Sequence, residues 1–567
     1  MSSPNLADDE FNQHIVDIYA YAESVCTGTK PAGQLEIHAC RRFLNDSERD
    51  FEYYFDAELA TRAINFIEKL PHVKGQWAAR REKIRLQPWQ KFIIGNLFGW
   101  ISKQTGLRRF RKAFILVPRK NGKSVIAAGI GIYMLIADKE YGAEIYCGAT
   151  TEKQAWEVFR PAKLMVDKSP SLKRTFQAVV NAKSITARDS SRFEPIIGKP
   201  GDGASPSLGI VDEYHEHATS DLYDTLDTGM GAREQGLMLV ISTAGSNIAG
   251  PCYEMQKDVE RVLTGTVEND EVFGIIYGID KTDAWSDEAS LIKANPNWGI
   301  SVGSDFLKSA QKYAIQNSSK QNAFKTKHLN VWCWAKSAYF NAQSWNACAD
   351  TTLNINDYLE YDCFVGVDLA KIHDISSIAY VFRKDIDGQK HYYVFTRNYL
   401  PEDTITSDEF PQLQELYGKW LNTGDLNIGG DAEMDFRTIT DEILGKKEQG
   451  FNLVEVPHDP HFAFLIARDL SEAGLIPIEI KQHGSQLGPG MREIEAAIAA
   501  GRIHHDGNQL TNWAIANVLA KEFSNGGLMP DKENKLSKID PAVAIIIAVG
   551  RAMLNGVEEI KSEIIFL

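Results

Sequence analysis

The sequence predicts an α/β protein with two large domains, each built around a β-sheet. A chain of 567 residues is too long for a single hydrophobic core. In the first half, buried strands alternate with amphipathic helices, which predicts a parallel sheet covered on both faces. In the second half, three consecutive strands precede another alternation of helices and strands, which predicts a second sheet of mixed direction.

Composition and charge narrow the function classes. Hydrophobic residues make up 44% of the chain and charged residues 24%, as in an ordinary globular protein. The net charge of −15 argues against a protein that coats nucleic acid, although it permits a local basic track or a carboxylate-rich metal site. The seven cysteines include no C-x-x-C pair, which indicates a reducing compartment rather than a disulfide framework or a zinc site.

Targeting and membrane signals are not found in the sequence. The stretch MSSPNLADDEF lacks the basic and apolar regions of a signal peptide. The longest apolar run, PAVAIIIAVG, is too short to span a bilayer. We therefore expect a protein of the cytoplasm that is neither secreted nor embedded in a membrane.

The first domain is organised around the stretch AFILVPRKNGKS, Ala113 to Ser124. An apolar strand breaks into a polar turn, and a helical pattern starts at Gly122-Lys123-Ser124. Backbone N–H groups and the helix dipole at such a turn hold an anion. In a P-loop the lysine reaches the outer phosphates of a nucleotide and the hydroxyl binds Mg²⁺. Val117 stands where the usual G-x-x-x-x-G-K-[ST] spacing has its first glycine, so the interpretation needs a second element.

That second element is SLGIVDEYHEH, in which Asp212 and Glu213 follow a short apolar strand. Ligands of open α/β sheets bind at the carboxyl ends of the strands. There Asp212 can hold Mg²⁺ and its water shell, while Glu213 can orient or deprotonate the attacking water. The pair could instead cap the next segment, but its combination with the upstream Gly-Lys-Ser favours an ATPase. A later strand, GLMLVISTAG, ends in Ser242 and Thr243, whose hydroxyls could sense the γ-phosphate and transmit its loss.

Composition changes along the chain set the predicted domain boundaries. Residues 1–60 are helical and acidic and predict an accessory segment, and residues 61–250 predict the P-loop ATPase domain. Within the latter, a helix begins at Pro88, and the amide of Gln90 on it could read an adenine edge. Residues 251–340 mix helices, one strand and a run rich in tryptophan and lysine, which predicts a linker or lid subdomain.

Residues 341–567 predict a separate domain. The runs DCFVGVDLAK, SSIAYVFRK and KHYYVFTRNYL are three strands joined by tight turns. Helices and strands then alternate as far as LIPIEIK. A meander followed by α/β units is the order of elements in the ribonuclease-H-like fold.

Three aspartates of this domain are candidates for a metal site. Asp368 ends the first strand, Asp459 follows a later strand in VEVPHDPHF, and Asp540 precedes the last apolar helix. Such hard oxygen ligands suit Mg²⁺ or Mn²⁺. Two ions about 4 Å apart would activate a water and stabilise the leaving oxygen of a phosphodiester. Asp540 could otherwise be the N-cap of a helix that continues with Pro541, and Asp459 could simply start a turn.

Taken together, the two halves resemble the large subunit of tailed-bacteriophage terminases, the DNA-packaging motors. The ordered set of matching motifs is specific, although no single motif is. The matching stretches, which span Leu86 to Gly550, are LQPWQKFIIGNLFGW, VPRKNGKS, TEKQA, LGIVDEYHEH, ISTAG, VGVDLAKIHDISSIA, VPHDPH and KIDPAVAIIIAVG.

The resemblance implies roles for single residues of the ATPase domain. The family's Walker A motif commonly lacks the first glycine, which accounts for Val117. The family's adenine-contacting glutamine is most similar to Gln90, and its phosphate-loop arginine corresponds to Arg119. The implied nucleotide-binding residues are Gln90, Arg119, Asn121, Gly122, Lys123 and Ser124. Ring ATPases often complete a site with an arginine in cis or from a neighbour, and the candidates are Arg119, Arg188, Arg192 and Arg233.

For the second domain, the resemblance implies a nuclease site. Its acids would be Asp368, Asp459 and Asp540, with Asp374 as an auxiliary. The VPHDPH segment differs from the family's more usual tyrosine-aspartate-proline pattern, because His458 precedes Asp459.

The resemblance also implies an activity and its partners. It implies ATP-driven translocation of double-stranded DNA into the procapsid and endonucleolytic cutting of concatemeric DNA by two metal ions. The implied cofactors are ATP and Mg²⁺, with Mn²⁺ as an alternative in the nuclease site. The implied partners are the portal protein, a small terminase subunit and further copies of the chain, in a ring that is typically a pentamer. The ring would dock on the procapsid in the host cytoplasm.

Two other interpretations remain open at this stage. A helicase or repair ATPase with a fused nuclease would share the first half, but it should carry a second motor domain where this chain has carboxylates. An integrase-like DNA-binding protein would carry a P-loop that does not hydrolyse ATP.

Overall fold

The computed structural model describes residues 6–197, 203–248, 250–333, 338–407, 411–462, 464–523 and 526–554. The chain divides into two compact units. The first unit runs to Ile315 and includes Phe324–Cys333, and the second takes in Gln316–Ala323 and the chain from Trp334 onward. Each unit has its own sheet. No helix within the described residues is long and apolar enough to cross a membrane.

The first unit alternates helices and strands, as its sequence pattern predicts. In chain order the elements as far as Leu329 are α1 (Leu6–Cys26), α2 (Gln34–Glu48), β1 (Tyr53–Phe55), α3 (Ala57–Glu68), α4 (Gly75–Ala79), α5 (Pro88–Gly99), β2 (Trp100–Ser102), β3 (Lys112–Leu116), α6 (Lys123–Ile136), β4 (Glu144–Ala149), α7 (Glu152–Asp167), α8 (Pro170–Phe176), β5 (Val179–Val180), β6 (Ile185–Thr186), β7 (Arg192–Ile197), β8 (Leu208–Asp212), α9 (Asp221–Gly229), β9 (Leu237–Ser242), α10 (Pro251–Leu263), β10 (Val272–Ile276), α11 (Glu288–Ala294), α12 (Ser304–Gln316) and α13 (Ser318–Leu329).

The main sheet of this unit has the strand order β10-β3-β9-β8-β4-β7-β6-β5. All neighbours from β10 to β7 are parallel, and only the short β6 and β5 at the edge are antiparallel. Strands β8 and β9 are buried along their whole length, since helices cover a parallel sheet on both faces. The predicted parallel sheet is confirmed, and its carboxyl edge brings the ends of β3, β8 and β9 together.

Some segments contribute more to this unit than the sequence pattern indicates. Strand β7, to which the sequence pattern assigns no role, pairs with β4 in the main sheet. Strand β10 lies in the region predicted as linker or lid, yet it pairs in parallel with β3. Helices α1 and α2 pack into the same hydrophobic core as the sheet through Ile18, Ala22 and Phe43. Sheet membership of short strands depends on distant neighbours, which local sequence does not record.

The second unit has the predicted meander at its start. After α13 the elements are α14 (Ala342–Ala347), β11 (Cys363–Asp368), β12 (Ser376–Ile386), β13 (Gln389–Leu400), α15 (Glu402–Thr406), α16 (Pro411–Thr423), β14 (Asn427–Ile428), α17 (Phe436–Glu448), β15 (Leu453–His458), α18 (Phe464–Glu472), β16 (Pro477–Glu479), α19 (Gly484–Ala499), β17 (Ile503–His505), α20 (Gln509–Asn517), β18 (Leu519–Glu522), β19 (Leu528–Asp531) and α21 (Asp540–Ala552).

Its sheet has the strand order β14-β13-β12-β11-β15-β16, with β17 also paired to β13. Strands β11, β12 and β13 are antiparallel, whereas β15 and β16 continue the sheet in parallel beyond β11. This arrangement confirms the ribonuclease-H-like fold expected from the order of elements. Two hydrophobic clusters belong to this sheet, one with α19 and α21 and the other with α17 and α18.

Gly366 in the middle of β11 allows helix α21 to lie directly on the sheet. A Cβ atom at this position would come within 2.0 Å of the backbone oxygen of Ala544. Only glycine permits this distance. The contact brings the start of α21 towards the carboxyl end of β11, where Asp368 lies.

Candidate active sites

The phosphate-binding loop lies between β3 and α6, as the sequence predicts. Gly122 directly precedes the helix with φ +90°, and α6 begins at Lys123. A helix N-terminus at the carboxyl edge of a parallel sheet directs backbone N–H groups at an anion. A cleft of about 740 Å³ opens there. Seven of the predicted residues line this cleft: Gln90, Arg119, Gly122, Lys123, Ser124, Asp212 and Glu213.

Two predicted nucleotide residues have additional structural roles. The Oε1 atom of Gln90 accepts a hydrogen bond of 2.9 Å from the backbone N–H of Gln87, which caps helix α5. Asn121 is fully buried, and its Nδ2 donates to the carbonyl of Pro118 and to Oδ1 of Asn295, both at 3.0 Å. The Asn121 side chain therefore holds the loop, and Asn121 is not among the residues that line the cleft.

Asp212 and Glu213 lie at the end of β8, within reach of Lys123. The Nζ atom of Lys123 is 2.9 Å from Oε2 of Glu213. The backbone N–H of Glu213 donates to Oδ1 of Asp212 at 2.9 Å, and Glu213 itself has a left-handed backbone with φ +48°. Non-glycine residues rarely adopt this conformation, and the residues that do are concentrated at functional sites.

Burial and charge set the protonation of the two carboxyl groups differently. Burial raises the pKa of Asp212 to about 6, with Glu213 adding to the rise and Lys123 opposing it. Burial also raises the pKa of Glu213, but Lys123 and His215 outweigh burial and lower it overall. Glu213 is therefore ionised at neutral pH and paired with the lysine of the phosphate-binding loop.

His215 connects Glu213 to the predicted coupling residues, and sequence reasoning did not single it out. Its Nδ1 lies 3.3 Å from Oε2 of Glu213, 3.1 Å from Oγ of Ser242 and 3.5 Å from Oγ1 of Thr243. Ser242 and Thr243 are buried at the end of β9. The histidine in Asp-Glu-Tyr-His was the available sequence signal, but its partners come from another strand.

The four candidate arginine fingers have different surroundings. Arg119 lines the cleft. Arg233 donates to the carbonyls of Ser205 and Gly142, and Arg192 contacts the side chains of Tyr146 and Glu144. Arg188 is exposed. Of the four, only Arg119 lies at the nucleotide cleft of the same chain.

The three predicted nuclease aspartates come from different elements of the second unit. Asp368 ends β11, and Asp459 directly follows the parallel neighbour β15. The backbone N–H of Asp459 donates to the carbonyl of Val367 at 3.1 Å, which fixes it beside the end of β11. Oδ1 of Asp459 also accepts from the N–H of His461 at 2.7 Å, so the predicted turn is present as well.

Asp540 is the first residue of helix α21 and does not cap it. The capping position is Ile539, and no side-chain capping bond is formed. The alternative interpretation of Asp540 as an N-cap is therefore wrong, because the helix starts one residue earlier than that interpretation requires. Oδ2 of Asp540 is buried and has no hydrogen-bond partner among the described residues.

Burial is the main cause of the raised pKa values in this acidic group, and neighbouring carboxylates add to it. Burial raises the pKa of Asp368 well above its usual range, and the charges of Asp540, Asp459 and Asp374 add to the rise. Burial and Asp374 likewise raise the pKa of Asp540 to about 6. Burial and nearby acids oppose the ionisation of Asp368 and Asp540, and Asp540 has a buried oxygen without a partner among the described residues, so a divalent cation would stabilise this donor set.

Asp374 is held by lysines. Nζ of Lys538 lies 2.5 Å from Oδ1 of Asp374, and Nζ of Lys532 lies 3.2 Å from the same atom. These charges outweigh burial and lower the pKa of Asp374. Within the described residues, no three His, Cys, Asp or Glu side chains are already arranged as a closed metal-binding set.

A P-loop ATPase unit followed by a ribonuclease-H-like unit with strand-end carboxylates defines an ATPase joined to a nuclease. Residues 88–261 match the model of the family "Terminase large subunit, ATPase domain", and residues 266–556 match "Terminase large subunit, endonuclease domain". The chain belongs to the terminase large subunit family. This assignment replaces the helicase and integrase interpretations.

The chain is also similar to several known proteins and to a solved structure. Protein YmfN of Escherichia coli (strain K12) is 45% identical over 371 residues, which cover 64% of this chain and 81% of YmfN. The large terminase subunit of Enterobacteria phage HK97 is 26% identical over 510 residues, or 87% of this chain and 95% of the relative. The crystal structure of the HK97 large terminase is 24% identical, with a TM-score of 0.42, and covers 87% of this chain and 99% of that chain.

The family defines the activity. The protein carries the ATPase and the metal-dependent nuclease of phage DNA packaging, and its cofactors are ATP and a divalent metal ion.

Proposed function

We propose that the cleft above β3 and β8 binds and hydrolyses ATP to drive the packaging of double-stranded DNA. The observation that carries this proposal is the convergence of Gln90, Arg119, Lys123, Ser124, Asp212 and Glu213 on one cleft. Backbone N–H groups of the loop and Lys123 hold the phosphates. Ser124 and Asp212 are suited to hold the Mg²⁺ of the nucleotide, and Glu213 to orient the attacking water.

Gln90 and Arg119 are suited to the two ends of the nucleotide. Because Oε1 of Gln90 caps α5, its Nε2 is the atom directed at the loop, 3.4 Å from the place that a Cβ of Gly122 would take. The Nε2 of Gln90 can donate to an acceptor of adenine. Arg119 supports the outer phosphates from within the same chain, and we propose it as the arginine finger.

Loss of the γ-phosphate is relayed through Ser242 and Thr243. The chain of contacts supporting this relay runs from Lys123 to Glu213, then to His215, and then to both hydroxyls. A phosphate that takes up Lys123 would change the partner of Glu213, and this change reaches the end of β9.

The second unit cuts DNA at Asp368, Asp459 and Asp540. These side chains would hold two divalent ions, Mg²⁺ or Mn²⁺, because Asp368 and Asp459 are buried, Asp540 has a buried carboxylate oxygen without a partner among the described residues, and such oxygen ligands suit hard cations. When bound, such ions activate a water and stabilise the leaving oxygen of the phosphodiester. Asp374, held by Lys532 and Lys538, is an auxiliary that keeps two positive charges beside the acids.

The partners follow from the role in packaging. We propose that copies of the chain form a ring, a pentamer, on the portal protein of the procapsid, and that a small terminase subunit delivers concatemeric DNA. The site of action is the cytoplasm of the host.

Packaging into purified empty capsids tests the proposal. Wild-type protein should protect DNA from nuclease only with ATP, whereas Lys123→Ala should protect none and still cut plasmid in Mn²⁺. A folded Lys123→Ala protein that hydrolyses ATP at the wild-type rate would refute the assigned nucleotide site.

A further inference from the structure

The phosphate-binding loop has a backbone conformation that its own sequence does not favour. Gly122 has φ +90°, which costs glycine little, but Lys120 also has a left-handed backbone with φ +72°. A lysine pays a steric penalty there and keeps the conformation only where surrounding groups impose it. Val117 takes the place of the first glycine of the usual motif. The loop therefore needs support from outside itself.

That support comes from three residues between α11 and the start of α12, which we call the asparagine clasp: Asn295, Asn297 and Ser301. The backbone N–H of Asn297 donates to Oδ1 of Asn121 at 2.9 Å, and Nδ2 of Asn297 donates to the carbonyl of Asn121 at 3.0 Å. The hydroxyl of Ser301 donates to the carbonyl of Lys120 at 2.7 Å. Every one of these bonds ends on the loop.

Further hydrogen bonds to other parts of the chain hold the clasp in place. Oδ1 of Asn297 accepts from Nε1 of Trp89 at 2.8 Å, and Nδ2 of Asn295 donates to the carbonyls of Leu291 and His328, both at 2.9 Å. Asn121, Asn295, Asn297 and Trp89 are all at most 4% exposed. A buried network whose amides are paired on both atoms specifies one geometry, since any shift leaves a polar group unpaired.

The clasp lies outside the part of the chain that matches the ATPase family. That match ends at residue 261, and residues 295–301 fall within the range of the endonuclease match, which begins at 266. Asn297 and Ser301 nevertheless line the nucleotide cleft together with Lys123.

We propose that Asn297 is a positioning residue that holds the phosphate-binding loop in its nucleotide-binding conformation. The affinity of the protein for ATP and ADP then depends on the asparagine clasp. This inference rests on the proposed nucleotide site. By thermodynamic reciprocity, bound nucleotide stabilises the clasp to the same extent that the clasp favours nucleotide.

Asn297→Asp tests the role of the clasp with little change in size. The substitution keeps an acceptor for Trp89 but replaces the Nδ2 donor with an oxygen that faces the carbonyl of Asn121. We expect calorimetry on the full chain to give at least about tenfold weaker binding of both ATP and ADP, the scale of one buried hydrogen bond turned into a repulsion. The KM for ATP should rise accordingly, while kcat at saturating ATP and plasmid cutting in Mn²⁺ should change much less.

Gln311→Glu is the matched control. Gln311 lies on α12 and is 6% exposed, and its Nε2 donates to the carbonyls of Trp285 and Asp287 at 2.9 and 3.0 Å. The same exchange of amide for acid therefore removes buried donor bonds in the same region without touching the loop. Gln311→Glu should lower the melting temperature but keep wild-type nucleotide affinity.

The outcomes separate failure of the clasp from failure of the nucleotide site. Wild-type affinity in a folded Asn297→Asp protein, or equal losses in Asn297→Asp and Gln311→Glu, would overturn the role of Asn297. Lys123→Ala serves as a reference, because undiminished nucleotide binding there would overturn the proposed site itself. Because Asn297→Asp also adds a negative charge to a residue that lines the cleft, Ser301→Ala, which adds none, is measured as well: nucleotide binding weakened by about two- to fivefold supports the clasp, and unchanged binding refutes it, whether or not Asn297→Asp folds.

Discussion

A single substitution in the ion pair between Lys123 and Glu213 should strongly change the chemistry of the ATPase site. The two charges lie 2.9 Å apart, and Lys123 is the main charge that keeps the pKa of Glu213 low against its burial. The outer phosphate of a nucleotide would compete for the same Nζ. Glu213 would then be free to act on water, with His215 as its remaining partner.

Glu213→Gln should therefore separate binding from hydrolysis. Loss of the carboxylate removes the group that orients or deprotonates water, so turnover should fall by about 100-fold or more. Affinity for ATP should stay equal or increase, because Lys123 loses its competing partner. Steady-state turnover and equilibrium ATP binding measure the two effects. Glu216→Gln, next to the other ring nitrogen of His215, is the control and should keep turnover, and wild-type turnover in Glu213→Gln would remove Glu213 from the reaction.

Asp540→Asn tests the acidic group through both stability and cutting. The folded protein holds the pKa of Asp540 at about 6, above its ordinary value of 3.8, because of burial and Asp374. A raised pKa favours the protonated acid in the folded state, so its stabilising contribution is full below about pH 4 and is lost as the pH rises through about 6. Asparagine is neutral at every pH.

In EDTA above pH 6, Asp540→Asn should therefore melt at a higher temperature than the wild type, and the difference should shrink towards pH 4. Plasmid cleavage in Mg²⁺ or Mn²⁺ should be lost and ATPase activity kept. Thermal melts across this pH range and a cleavage assay check both effects. Full cleavage by Asp540→Asn would leave the nuclease assignment on Asp368 and Asp459.

Residues at strand ends could be predicted from sequence, whereas residues that act through remote contacts could not. Asp212 and Asp368 stand where an apolar strand stops, and Lys123 begins the helix that follows such a strand, so the order of elements alone places all three at one edge of a sheet. His215 and Asn297 differ, because their partners are far away in the chain. Asn297 contacts Asn121 across 176 positions, and no local pattern records that pair.

At the scale of elements, the contact between β11 and α21 organises the nuclease site. Asp368 and Asp540 belong to these two elements, and they approach because Gly366 leaves room for the backbone of α21. The meander and the alternating units after it were predictable from turns and periodicity. Strands β7 and β10 were not assigned to the main sheet, because a short strand joins a sheet only through its neighbours.

Gly366→Ala should change the contact between β11 and α21 and so impair the nuclease site without affecting the ATPase site. The added Cβ would meet the oxygen of Ala544 at 2.0 Å, so α21 must shift, at a cost of about 1–3 kcal/mol in the free energy of unfolding of the second unit. Plasmid cutting should fall sharply while ATP turnover stays near the wild-type level.

Gly418→Ala on α16 is the control for this prediction. A Cβ at Gly418 meets nothing within 4 Å, and alanine favours helix, so we expect unchanged cutting and a slight gain in stability. Thermal melts and plasmid-cleavage assays on both variants measure the effects on stability and on cutting. Normal cutting by Gly366→Ala would show that the approach of α21 to β11 does not set the geometry of the acids.

For the whole molecule, the separate cores of the two units imply separable activities. The ATPase cleft is lined entirely by residues of the first unit, and the aspartates lie in the second, which has two hydrophobic clusters of its own. The division into two α/β bodies was predictable from length and from the two patterns of alternation. The extent of the first body was not predictable from the sequence, because α1, α2 and β10 join its core through contacts from both ends of its sequence.

A fragment of residues 338–567 should therefore fold alone and cut DNA without ATP. It contains α14 through α21 with both clusters, and Trp345 of α14 is fully buried within it. With Mg²⁺ or Mn²⁺ it should nick or linearise plasmid with little sequence preference.

Because the full chain carries a net charge of −15, binding must rely on local contacts with phosphates, and each contact should lower log K by about 0.9 per tenfold increase in salt. The same fragment with Asp540→Asn is the control and should bind with the same salt dependence but not cut. If the folded fragment fails to cut with either metal, the second unit needs the first to act on DNA. Binding that is insensitive to salt would show that contacts with phosphates do not dominate its affinity.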